Sequence, residues 1–86
     1  IPKNLNNLIF KKKIWCASST HQGEEEICLK IHQKLIKKFK DLILIIIPRH
    51  TYRINDITKD LLKYNMKFHL HSNKGPIQKN INVYLV

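Results

Sequence analysis

With 86 residues the chain holds one small domain at most, and its 43% hydrophobic content excludes a chain disordered by composition. No apolar run reaches the ~18 residues that a bilayer-spanning helix requires, and two cysteines without a C-x-x-C pair exclude a disulfide framework. The formal net charge of +10, from 16 Lys+Arg against 6 Asp+Glu, points to an anionic partner such as nucleic acid, an acidic membrane surface or a phosphorylated substrate.

The opening Ile1-Pro2-Lys3 lacks an initiator Met and reads as part of a longer protein. Residues Pro2 to Phe10 carry Leu5, Leu8 and Ile9 at i, i+3, i+4, the spacing of a short helix, with Asn4 as its cap. Lys11-Lys12-Lys13 follows as a solvated link, so residues 1–12 read as a short helix and linker from a preceding region.

A β-rich segment from Lys13 to Ala17 gives way to a polar turn, Ser18 to Gly23. A helix is predicted from Glu24 to Phe39, with Ile27, Cys28, Ile31, Leu35 and Phe39 as its buried stripe. Glu24-Glu25-Glu26 at its start and Lys37, Lys38 and Lys40 at its end complement the helix dipole. Cys16 and Cys28 read as small buried thiols.

Leu42 to Ile47 is apolar at every position, the mark of a strand covered on both faces in a parallel sheet, and Pro48 ends it. Ile54, Ile57, Leu61 and Leu62 mark a second amphipathic helix between Arg53 and Asn65, with Asn65 as a left-handed terminator. Lys67 to His71 alternates and reads as an edge strand. A loop, Ser72 to Asn80, leads to a last strand, Ile81 to Val86.

The order strand–helix–strand–helix–strand–loop–strand is half of a doubly wound α/β domain: a parallel-sheet, Rossmann-like half-domain of about four strands and two main helices. Right-handed crossovers set strands one, two and three side by side in that order. The nine-residue loop reaches roughly 30 Å when extended, enough to carry strand four to the free side of strand one.

Ligands of open parallel sheets sit beyond the carboxyl ends of the strands. Two polar turns fall there, Ser18 to Gly23 and Pro48-Arg49-His50, and adjacent parallel strands make them neighbours. Arg49 is the strongest candidate: a guanidinium at a strand end grips a phosphate bidentately, or else pairs with one of Glu24 to Glu26. Those glutamates occupy the helix dipole and repel an anion, so no phosphate is expected on the Gly23-Glu24 amides. The Ser19 and Thr20 hydroxyls and turn amides instead suit a sugar or base. Glu24 or Glu25 is placed to orient Arg49, unless all three are simple helix-capping charges.

His21 and His50 across the two turns, and His69 and His71 on one strand face, allow a metal by residue type, but no compact ligand spacing supports one. The single Gly23 does not make a dinucleotide loop. Ser18, Ser19 and Thr20 beside His21 lack the glycine-flanked elbow of a hydrolase.

The run Ser19-Thr20-His21-Gln22-Gly23-Glu24-Glu25, followed at the next strand end by Pro48-Arg49-His50, resembles the 3-deoxy-D-manno-octulosonic acid (Kdo) transferases. These glycosyltransferases add Kdo from CMP-Kdo to the lipid A precursor of lipopolysaccharide. The resemblance covers about Ile14 to Val86. It implies a GT-B enzyme of two Rossmann-like domains, with residues 13–86 as the N-terminal part of the C-terminal, CMP-sugar-binding domain. It also implies that strand four lies on the free side of strand one.

Carried over, Pro48 and Arg49 contact the CMP moiety. Ser19, Thr20, His21, Gly23, Glu24, Glu25 and His50 become candidate donor-side contacts. The acceptor and the catalytic carboxylate belong largely to the N-terminal domain, so no catalytic residue, metal or cofactor is expected in this piece, which is expected to be inactive, monomeric and soluble by itself. The parent is expected at the cytoplasmic face of the bacterial inner membrane. Met-Gly-Glu and Asn-Pro-Leu-Glu-like segments that complete the pocket are expected beyond Val86. Two positions depart from the family pattern: Ser18 stands where Gly or Thr is more common, and Gln22 where an acid is. The alternative reading is a small basic α/β module that binds nucleic acid. It needs aromatics interleaved with basic residues on an exposed face, whereas Trp15, Phe39 and Phe68 read as core.

Overall fold

The computed structural model describes residues 13–78 and 80–86. The short helix expected over Pro2 to Phe10 lies outside them. Strand β1 (Ile14–Thr20) leads through Gly23 into α1 (Glu24–Lys38), then β2 (Ile43–Pro48). A 3₁₀ turn (Thr51–Arg53) runs into α2 (Ile54–Lys63), and two short strands follow, β3 (Phe68–Leu70) and β4 (Val83–Leu85). All pairings are parallel.

The main core lies between the helices and one sheet face: Leu29 from α1, Leu44 and Ile46 from β2, Ile57 and Leu61 from α2, Met66, and Val83 and Leu85 from β4. On the opposite face Ile43 and Tyr84 pack with Ile81, and Ile14, Ile45 and Ile77 lie against them. The unbroken apolar run of β2 therefore meets apolar side chains on both faces, as its composition requires. Asn65 ends α2 at φ 55°, a left-handed conformation that Asn tolerates.

The strand order is β1-β2-β4-β3, which corrects the expected placement of the fourth strand. β4 does not cross to the free side of β1. It enters between β2 and β3, with Leu44 opposite Val83 on one side and Phe68 opposite Val83 on the other. Burial gives the physical reason: all three residues of β4 are buried, and a buried strand must satisfy its backbone on both edges. β3, half-buried at Phe68 and Leu70, takes the edge as expected.

Two further expectations change. α1 is rolled by about one residue, roughly 100°, from its predicted stripe. Its buried residues are Glu25, Leu29 and His32, while Ile27 is 60% and Ile31 46% exposed. Cys16 is exposed rather than buried, and Cys28 is half-buried, its thiol pushed up mainly by burial.

His32 explains part of the roll. Its Nδ1 accepts a hydrogen bond from Trp15 Nε1–H at 3.0 Å, so its proton sits on Nε2 and is donated to the Asn82 carbonyl at 2.8 Å. The Asn82 side chain in turn accepts the Lys67 amide at 2.9 Å. This relay ties β1, α1 and the entries to β3 and β4 through one fully buried neutral imidazole.

Burial lowers the His32 pKa, partly opposed by the bond to Asn82. The neutral ring is therefore favoured in the folded state. The stability it confers is fully present above the unfolded value near 6.5 and is lost as pH falls from there through the folded value. Urea unfolding followed by the fluorescence of Trp15, the sole Trp, should show a falling midpoint between neutral pH and pH values below the unfolded His range. His32→Gln should flatten that slope; an unchanged slope would place the titrating group elsewhere.

Candidate functional site at the carboxyl rim of the sheet

The two polar turns share one rim. Parallel pairing of β1 with β2 puts Thr20 opposite Pro48, and the Arg49 amide donates to the Thr20 carbonyl at 2.9 Å. β1 runs three residues further than its sequence predicts, because a register shift between Ser18 and Thr20 bends the strand end. Ser19 takes the bend at φ 56°, which leaves it exposed and turns Thr20 into the protein. Pro48 is buried beside it, while Arg49 and His50 are exposed.

Gly23 starts α1 at φ 89°, in the left-handed region where a Cβ is strained. No side chain caps the helix from that position. Glu24 reaches back instead: its Oε1 accepts the His21 amide at 2.7 Å and lies 3.0 Å from His21 Nδ1. The bond from the His21 amide, more than the one from its ring, holds the Glu24 carboxyl below the usual carboxylate range.

Glu25 points inward. It is fully buried, and its Oε1 accepts from Arg53 Nη2 at 2.7 Å; Arg53 is itself 8% exposed. Glu26 takes the third direction, accepting from Tyr64 Oη at 2.8 Å and Lys63 Nζ at 3.2 Å, and the tyrosine bond is the larger cause of its lowered pKa. All three glutamates are therefore engaged with partners other than Arg49. The expectation that Glu24 or Glu25 orients Arg49 is corrected: the arginine that Glu25 holds is Arg53, one helical turn further on.

Arg53 is the rim residue that sequence reasoning missed. The signal was available, since Arg49 and Arg53 are the only two arginines among 16 basic residues, and a guanidinium is the cation best suited to a buried pair. Arg49, by contrast, forms no ion pair among the described residues. The backbone pins the start of its residue to β1, and its charge stands at the rim. Three buried polar atoms of this region, Thr20 Oγ1, Glu25 Oε2 and Arg53 Nε, have no hydrogen-bond partner among the described residues.

The histidines do not assemble into a metal centre. His21 is held by Glu24, and His50 stacks on Tyr52 with ring centroids 5.2 Å apart. At the far edge His69 Nε2 lies 3.0 Å from the Asn73 carbonyl, and His71 Nδ1 lies 2.7 Å from Tyr84 Oη. No group of three metal-ligating side chains occurs among the described residues.

No family model matches the chain. A curated 3-deoxy-D-manno-octulosonic acid transferase of Haemophilus influenzae is 39% identical over 74 residues, covering 86% of this chain and 17% of the relative. A probable mitochondrial 3-deoxy-D-manno-octulosonic acid transferase of Arabidopsis thaliana is 34% identical over 85 residues, covering 98% of this chain and 19% of the relative. This chain thus spans less than a fifth of either protein. Among solved structures, the C-terminal CMP-Kdo binding domain of WaaA from Acinetobacter baumannii superposes with a TM-score of 0.83 at 25% identity, over 93% of this chain and 41% of that one.

The ion pair gives a stability prediction. Glu25→Ala or Arg53→Ala leaves one buried charge without its partner and should cost about 3–5 kcal/mol. Replacing both by Met removes both charges and should cost well below the sum of the single changes. A double-mutant cycle by urea denaturation reads the coupling; additive losses would mean that the pair does not fix this corner.

Proposed function

Because the chain belongs to the 3-deoxy-D-manno-octulosonic acid transferase family, we propose that its carboxyl rim is part of the CMP-Kdo pocket of a Kdo-transferring glycosyltransferase. Residues 13–86 then form the first part of the donor-binding domain. In the whole enzyme the acceptor is the lipid A precursor, and the group that activates it comes from outside this chain. With a lipid acceptor that enzyme works at a membrane surface, in this reading the cytoplasmic face of the bacterial inner membrane; no helix among the described residues is long and apolar enough to cross a membrane.

Arg49 carries this reading. The Arg49–Thr20 backbone bond sets an exposed guanidinium, free of ion pairs among the described residues, beside the hydroxyl-bearing bend of β1. A guanidinium in that position meets the single phosphate of a CMP-sugar with two parallel hydrogen bonds. Ser19 and the turn of residues 19–23, whose His21 amide is already held by Glu24, lie one strand away on the same rim, on the side of the ribose or the sugar. Pro48 has no amide hydrogen to offer and is buried, so its part is to end β2 and aim Arg49. The glutamates at the start of α1 are tied to His21, Arg53, Lys63 and Tyr64, which blunts their repulsion of the donor phosphate.

The basic nucleic-acid module is not supported. The relatives carry the name of a sugar transferase, and Trp15 and Phe68 pack against the core.

Titration of the chain with CMP, followed through its amide resonances, tests the reading. Shifts should concentrate at Ser19 to Gly23 and at Arg49 and His50. Arg49→Ala should weaken binding about tenfold or more, the order expected for a lost charge-assisted pair of ~1.5–3 kcal/mol. Because the Arg49 side chain is exposed, its loss should leave the fold intact. Shifts spread over the outward lysines of α1, with no response at Arg49, would refute it.

A further inference from the structure

We propose that the stacked His50–Tyr52 pair is the seat of the donor's pyrimidine base, with Tyr52 as the stacking surface and His50 as its brace. The proposal rests on the donor-pocket reading above and adds to it a residue that lies outside the matching motif.

The three tyrosines of the chain are used in different ways. Tyr84 is 2% exposed and its hydroxyl meets His71. Tyr64 is half-buried and bonded to Glu26. Tyr52 is 77% exposed, and its hydroxyl has no hydrogen-bond partner among the described residues. An aromatic ring so far out of the core is nevertheless ordered by contact. It lies nearly parallel to His50, at an interplanar angle of 13°.

Local geometry explains why the ring faces outward. Residues 51–53 form a 3₁₀ turn, in which successive side chains point about 120° apart. Arg53 is drawn inward by Glu25, so the residue before it cannot also point into the core. The buried ion pair thus fixes the direction of Tyr52. His50 has extended backbone angles, φ −130° and ψ 129°, and its ring meets Tyr52 across the turn.

Arg49 and Tyr52 are three residues apart, so their Cα atoms lie within about 10 Å of each other. That span suits the phosphate and base of one mononucleotide. Both groups stand at the end of β2, where an open parallel sheet receives its ligand. A pyrimidine presents a flat π-face to an exposed phenol ring, and offset stacking between such rings is favourable without any hydrogen-bond readout.

Wild-type chain, Tyr52→Ala, Tyr52→Phe and Arg49→Ala should be titrated into the millimolar range with two probes, CMP and ribose 5-phosphate. The second has the sugar and phosphate but no base. Tyr52→Ala should weaken CMP about tenfold and leave ribose 5-phosphate within about twofold, as expected for loss of one base stack. Tyr52→Phe, which keeps the ring, should bind CMP like the wild type. Arg49→Ala should weaken both probes. If Tyr52→Ala binds CMP as the wild type does while Arg49→Ala loses it, the stacking assignment fails and the donor-pocket reading stands. Equal loss of both probes in Tyr52→Ala would show that Tyr52 shapes the turn rather than seats the base, which also overturns it. No response of the wild type to CMP overturns both.

Discussion

The buried pair between Glu25 and Arg53 is the constraint from which the rest of this molecule follows. A carboxylate with no exposed surface is costly in a domain of this size, and the cost is met only because a guanidinium arrives from another element at 2.7 Å. The pair joins the first turn of α1 to the turn after β2. Those are the two segments that carry the candidate ligand contacts. Their relative position is thereby fixed by a charge contact in a dry environment as well as by the sheet itself.

The same contact, with His32, settles how α1 lies on the sheet. Glu25 and His32 are seven residues apart, two turns along one helix face, with Leu29 between them. Each polar side chain has a partner on another element, so both ends of the face are registered. Apolar attraction alone would be met as well by a roll that turned Ile27 and Ile31 to the sheet. Hydrophobic burial is non-directional and would reward either roll, whereas a buried carboxylate and imidazole tolerate only the roll that keeps them bonded.

This contest also explains what could be read from the sequence. β2 was legible because six consecutive apolar residues leave a strand no solvent face, and Asn65 because a left-handed terminator has few candidates. The shared rim followed from two polar turns after parallel strands. The roll of α1 was hidden, since periodicity counts apolar positions and assigns Glu25 to water. The insertion of β4 was hidden for another reason: its neighbours, β2 and β3, are chosen by non-local pairing that no local pattern encodes. The bend at Ser19 was masked by its short polar neighbours, which fit a turn and a strand end equally well. Arg53 was overlooked because its partner lies 28 residues away in sequence.

The two arginines show how one residue type serves both parts of the design. Arg53 is neutralised in place and acts as structure; Arg49, one turn earlier, keeps its charge at the surface. An acidic helix start would ordinarily make this rim hostile to a phosphate, because three carboxylates there cancel the positive end of the dipole. Each carboxylate, however, has been drawn to a donor of its own: Glu24 to His21, Glu25 to Arg53, Glu26 to Lys63 and Tyr64. None is left to pair with Arg49. The acidic cluster therefore assembles the corner while leaving the cation beside it available, and the polarity of the rim is set by which charges are spent on the fold rather than by how many of each sign the sequence contains.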